Sequence, residues 1–118
     1  FRNDAIPTHL LTDECVQTYL RHLHEDGLLL FHVSNRYLDL NPVVRGIAGR
    51  HDRVLTVIRS DRDRQHGTAE SEWNVLAKDD GFRQSLPAAP RGFTIREPAE
   101  SATVHWTDDF CSYWQVLK

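Results

Sequence analysis

At 118 residues with 40% hydrophobic content, the chain has enough material for one layered domain with a single core and too little for two. Its formal charge of -3 comes from 14 basic and 17 acidic residues mixed along the sequence without a basic block, which argues against a nucleic-acid binder. No apolar run approaches the roughly 18 residues of a membrane span, and no charged-then-apolar leader opens the sequence, so a soluble, cytoplasmic domain is expected.

The chain starts at Phe1 and contains no methionine, which reads as a segment of a longer protein. Cys15 and Cys111 are far apart and show no CxxC spacing. Neither a zinc site nor a disulfide framework is indicated, and buried free thiols are the expectation.

In chain order, Thr12 followed by Asp13 and Glu14 has the chemistry of a helix start. A threonine hydroxyl caps free backbone amides, and the acids complement the helix dipole. Val16, Tyr19, Leu20 and Leu23 then recur at helical spacing, with Gly27 as the stop. Residues 28–33 (LLLFHV) form a short continuous apolar run, the pattern of a strand buried on both faces of a parallel sheet. Asn41 and Pro42 suit a helix cap and first turn, predicting a helix over 42–49. Residues 53–59 (RVLTVIR) and 71–78 (SEWNVLAK) read as strands that pair antiparallel. The polar stretch between them, 59–70, reads as a mobile loop. A short helix over 82–86 precedes Pro87, and the last apolar cluster, Trp106, Phe110, Tyr113, Trp114, Val116 and Leu117, is expected to dock on the core.

Helix, buried strand, helix, strand, strand predicts an α/β domain whose parallel sheet ends in an antiparallel member. The cofactor-cradling half is missing from this pattern. No GxGxxG occurs, and no strand precedes Phe1 to supply the first βα turn.

Residues 1–44, FRNDAIPTHLLTDECVQTYLRHLHEDGLLLFHVSNRYLDLNPVV, resemble the second half of the spermidine-synthase-like proteins. In that family a segment like DAIPTHLLT follows the fourth strand of a methyltransferase-type Rossmann fold, and one like HVSNRYLDL follows the fifth. WTDDF, residues 106–110, is similar to the WTDDY segment that closes the same domain. The resemblance is collinear over nearly the whole chain and weakest at 60–70 and 84–103. It implies a partial S-adenosylmethionine-dependent methyltransferase-like Rossmann fold, its carboxyl-terminal half, with a mixed sheet.

The resemblance further implies aminopropyl transfer, in which a diamine nitrogen attacks the carbon beside the sulfonium of decarboxylated S-adenosylmethionine without a metal. Such chemistry needs a carboxylate to accept the ammonium proton and further carboxylates to hold a cationic amine. Asp4 matches the family's acidic position after the fourth strand, as base or amine anchor. The family's preceding acid and the loop that binds decarboxylated S-adenosylmethionine or S-adenosylmethionine would lie upstream of Phe1. True spermidine synthases run DSSDP, whereas Ala5 and Ile6 separate Asp4 from Pro7 here. That departure resembles the subgroup often fused to multispanning membrane segments, and it leaves a methyltransferase-like role open.

Each candidate also has a plainer reading. Asp4 before a proline is a common turn aspartate. His32 falls at the carboxyl end of a strand, where α/β ligands bind, yet a satisfied core histidine fits equally. Asn35 either touches substrate or makes a turn. Asp108 and Asp109 either hold a cationic amine or open a terminal helix. His22 and His24 flank Leu23 and point to different sides of a helix, which is poor geometry for a shared metal.

Two function classes follow: an enzyme fragment that is inactive alone, and a noncatalytic α/β binding or regulatory module. A half-sheet leaves a strand edge open, so self-association into a homo-oligomer is expected.

Overall fold

The computed structural model describes residues 8–34, 37–61, 70–87, 92–98 and 103–118. A 3-10 turn at Thr8–Leu10 leads into α1, Asp13–His22, which is followed by β1, Leu29–His32. Next come α2, Asn41–Arg50, then β2, Val54–Ser60, and β3, Ser71–Ala77. The short α3, Gly81–Ser85, precedes β4, Phe93–Arg96, and a second 3-10 turn, Tyr113–Gln115, lies near the end.

α1 begins where its capping chemistry requires. Thr12 is extended (φ -77°, ψ 155°), and its hydroxyl accepts from the Cys15 N–H at 3.3 Å. Asp13 and Glu14 occupy the first turn, with Arg21 and His22 in the last, all favourable to the helix dipole. The helix ends at His22, five residues before Gly27, because Leu23 has already turned extended.

α2 departs from the expected start. Asn41 is its first helical residue rather than its cap, and Leu40 at the cap position makes no side-chain cap bond. Asn41 instead donates its backbone and side-chain N–H groups to Asp39 Oδ1, at 3.1 and 2.7 Å. Its own side-chain oxygen accepts from Asn74 at 3.0 Å. Pro42 sits in the first turn, where its missing N–H costs nothing.

The four strands lie in the order β1-β3-β2-β4, and every neighbouring pair is antiparallel. The domain is therefore α/β, but the expected parallel sheet is corrected. β1 and β2 do run in the same direction, joined by α2, since both oppose β3. β3 inserts between them and replaces parallel neighbours with antiparallel ones. The predicted pairing of β2 with β3 is present over seven residue pairs, from Val54↔Ala77 to Ser60↔Ser71. β4, unread in the sequence, adds a strand outside β2.

Residues 28–33 were expected to be buried on both faces, and here too the structure differs. β1 is an edge strand in which Leu29 and Phe31 are half-buried while Leu30 and His32 are exposed. In register, Leu76 of β3 lies between Leu29 of β1 and Leu55 of β2, so one sheet face carries the core. Val16 from α1 and Val43, Val44 and Ile47 from α2 pack on it. On the opposite face, Arg83 of α3 donates to Thr56 Oγ1 at 3.2 Å and to the Leu55 carbonyl at 2.6 Å.

The terminal segment docks only in part. Trp106 and Val116 are buried, but Phe110, Tyr113, Trp114 and Leu117 are exposed, Trp114 by 85%. Backbone bonds fix it: Val104 N–H to the Pro42 carbonyl (3.0 Å), and Asp39 N–H to the Val116 carbonyl (2.7 Å). Gly46 permits this contact, because a Cβ there would lie 2.7 Å from the Val104 carbonyl oxygen. Among the described residues no helix is long and apolar enough to cross a membrane.

Candidate functional site

The amino end of α1 and the terminal turn build a common site. Leu10 and Leu11 close a 3-10 turn, with Leu11 N–H donating to the Thr8 carbonyl at 2.9 Å, and Leu11 is anchored in the core. Thr12 is thereby buried at the head of α1. The Asp13 N–H donates to the Trp106 carbonyl at 2.9 Å, which brings residues 106–110 against the helix start.

Two side-chain bonds complete the joint. The Thr12 hydroxyl donates to Asp108 Oδ1 at 2.7 Å, and the Asp108 N–H donates to Glu14 Oε2 at 2.9 Å. Thr107 and Phe110 bridge each other across residues 108 and 109, making a tight turn. The expectation that Asp108 and Asp109 open a terminal helix is thus corrected. Asp108 braces the head of α1, and Asp109 is exposed at the turn.

Beside this joint lies an open cleft of about 480 Å³, lined by Thr8, His9, Thr12, Glu14, Cys15, Thr18, Asp108 and Cys111. Both cysteines are free, and neither is fully buried, so the expected buried thiols are corrected. Cys111 is exposed and its Sγ donates to the Thr107 carbonyl at 3.2 Å. Partial desolvation pushes the Cys111 thiol up from its usual value, and the carboxylates of Asp108 and Glu14 push the same way. On the same helix, Tyr19 donates to the Leu10 carbonyl at 3.2 Å. Burial, with the Cys15 thiol beside it, raises this phenol to about 12.

Next along α1, Asp13 Oδ1 joins the two main helices, accepting from Arg50 Nε at 3.2 Å and lying 2.8 Å from His51 Nε2. Burial alone would raise the Asp13 carboxyl. The hydrogen bonds from His51 and Arg50 and their charge outweigh it, leaving the group below its usual range. This trio ties α1 to α2 and does not line the cleft.

Of the five residues singled out in the sequence, Asp4 and Asn35 lie outside the described residues. Asp108 lines the cleft, and Asp109 is adjacent in sequence. His32 is elsewhere, exposed on the edge strand and stacked on Trp73 with ring centroids 4.7 Å apart. The satisfied-core reading of His32 is therefore corrected: the pleat that turns Phe31 inward turns His32 outward. Sequence reasoning missed Glu14, read only as a dipole partner, and the convergence of Cys15 with Cys111. Nothing in a 96-residue separation signals that meeting. The described residues contain no group of three or more metal-ligating side chains, and His22 Nδ1 lies 2.8 Å from its own helix carbonyl at Thr18.

Comparison with family models, with curated proteins and with solved structures finds no match to this chain.

Proposed function

We propose that this chain is the distal part of a spermidine-synthase-like transferase domain, carrying the amine side of the site, while the part that would hold decarboxylated S-adenosylmethionine or S-adenosylmethionine lies in the rest of the protein. One observation carries the reading. The two segments that resemble the family, residues 7–12 (PTHLLT) and 106–110 (WTDDF), are about a hundred residues apart and join through the 2.7 Å bond from Thr12 to Asp108. Their joint borders a cleft carrying the carboxylates of Glu14 and Asp108 and the hydroxyls of Thr8 and Thr12.

A protonated amine suits such a lining. Carboxylates hold the ammonium by charge-assisted hydrogen bonds, and threonine hydroxyls accept its remaining protons. Asp4, four residues before Thr8, is the proposed base that removes a proton so the amine can attack. The sheet order supports the fold part of the reading. Two like-directed strands, joined by a helix and separated by an antiparallel one, are what a doubly wound sheet ending in an antiparallel member would leave at its end. The methyltransferase-like fold, the polyamine role and a cytoplasmic setting all belong to this proposal.

The noncatalytic module is the second reading, and a specific observation favours it. Asp108 Oδ1 and N–H are already satisfied by Thr12 and Glu14, so the joint also serves as plain helix bracing.

Calorimetric titration of the full-length protein with decarboxylated S-adenosylmethionine, S-adenosylmethionine, 5'-methylthioadenosine and putrescine separates the two. Preference for the decarboxylated ligand, with putrescine turnover lost in Asp4→Ala and putrescine affinity weakened in Asp108→Asn, is the expected outcome. Absence of binding by all four ligands discards the enzyme and leaves the module.

A further inference from the structure

The Thr12 hydroxyl makes two different bonds. Its oxygen accepts the Cys15 N–H at 3.3 Å, which is the capping bond of α1. Its single proton goes to Asp108 Oδ1 at 2.7 Å, the length of a bond to a charged acceptor, whereas the alternative acceptor, the His9 carbonyl, is 3.3 Å away. Thr12 is 1% exposed, so little water competes for that proton. Capping needs only the oxygen, and the proton is committed to a residue 96 positions further on. The Asp108 N–H donates in turn to Glu14 Oε2 at 2.9 Å, which brings two carboxylates to the head of α1. Both push the Cys111 thiol upward, so their charges reach the same part of the cleft. Like charges gathered in this way repel. Among the described residues, the Thr12 hydroxyl is the one side-chain group that donates to the Asp108 carboxylate and holds it against that repulsion.

We propose that Thr12 is the positioning residue of the amine site and acts on the ligand through Asp108. Its hydroxyl ties Oδ1 and leaves Oδ2 to take the ammonium. A carboxylate fixed beforehand has little freedom left to lose when the ligand arrives, so less entropy opposes binding and affinity rises. The inference rests on the proposed amine site and deepens it. It also separates positioning from bracing. A brace steadies α1 with either aspartate or asparagine at 108, because an amide oxygen accepts the same hydroxyl. A positioning bond matters to the amine only while 108 is a carboxylate.

Calorimetric titration of the full-length protein with putrescine tests it, in wild type, Thr12→Val, Thr12→Ser, Asp108→Asn and the double variant Thr12→Val with Asp108→Asn. Circular dichroism of each variant reports whether it is folded. Thr12→Val keeps the shape and loses the donor, and should weaken putrescine about ten-fold, the effect of one bond of this kind. Thr12→Ser restores the hydroxyl and with it the affinity. In the Asp108→Asn background, Thr12→Val should make no further difference to putrescine. If Thr12→Val loses its native spectrum, Thr12→Gly takes its place, since glycine is a tolerated cap without a hydroxyl. Putrescine bound equally well by wild type and Thr12→Val overturns the inference and leaves the amine site standing. The same loss from Thr12→Val with aspartate or asparagine at 108 also overturns it, because that is the mark of a brace. Absence of putrescine binding by wild type removes the proposed amine site and this inference together.

Discussion

The half of the molecule around α2 and the half around the head of α1 are held by different physics. α2 presents Val43, Val44 and Ile47, all fully buried, to the sheet and to Val104 and Trp106. The head of α1 is held instead by capping and side-chain bonds: Thr12 to Asp108, Asp108 to Glu14, and Asp13 to Arg50 and His51. Apolar packing tolerates no gap, whereas a polar joint half open to water can exchange partners. The difference teaches where a ligand could enter without unfolding the domain. The cleft lies in the half whose contacts are individually small.

Trp106 belongs to both halves, since its side chain is fully buried in the core and its carbonyl receives the Asp13 N–H. Trp106→Ala is expected to have the largest effect, about 3–5 kcal/mol in chemical denaturation. Trp106→Phe should cost much less, because the buried indole N–H has no hydrogen-bond partner to lose. A loss from Trp106→Ala no larger than a cap mutation would break the comparison.

Two glycines on α2 sharpen it. Gly46→Ala drives a methyl against the Val104 carbonyl and should destabilise by about 1–3 kcal/mol. Gly49, one turn on, faces open space, and Gly49→Ala should stabilise by about 0.5–1 kcal/mol. Thermal melts showing the same sign for both would contradict the packing described.

On the polar side, Thr12→Ala should cost about 1 kcal/mol, and Asp108→Asn somewhat less. Because the two groups touch, their effects should fall short of additive in a double-mutant cycle, while Thr12→Ala and Gly49→Ala should add. Full additivity of the Thr12 and Asp108 changes would mean that the 2.7 Å bond contributes nothing.

The smallest effect concerns acid. Asp13 titrates lower folded than its ordinary 3.8, so the unfolded chain binds the proton more readily. The associated stability is present above pH 3.8 and drains away as the pH falls through the folded value. Asp13→Asn should flatten stability against pH in that window, and an unchanged slope would show that the bonds to Arg50 and His51 carry no net stabilisation.

Local chemistry made much of the fold readable. The Thr12 cap with its two following acids, the Pro42 turn, the β-branched residues 54–58 and the strand at 71–77 act within a few residues and appear close to where they were expected. The site was readable only in its parts. Asp108 was visible as a carboxylate, but its place against Thr12 depends on a contact spanning 96 residues.

The errors share a cause. LLLFHV looks doubly buried because apolarity gives composition without position, and only the packing of the helices decides that the face of Leu29 and Phe31 is covered while the face of Leu30 and His32 is exposed. The exposed Phe110, Trp114 and Leu117 were likewise indistinguishable from the buried Trp106 and Val116 by type. The sequence by itself determined the Thr12 cap, the order of the elements from α1 to α3 and the α/β class, since these follow from neighbours along the chain. The tertiary structure alone decided strand order, the outward turn of Leu30 and His32, and the meeting of Thr12, Glu14, Cys15, Asp108 and Cys111 at one cleft. Such pairings depend on which surfaces shed water together, and that choice is made between segments distant in sequence.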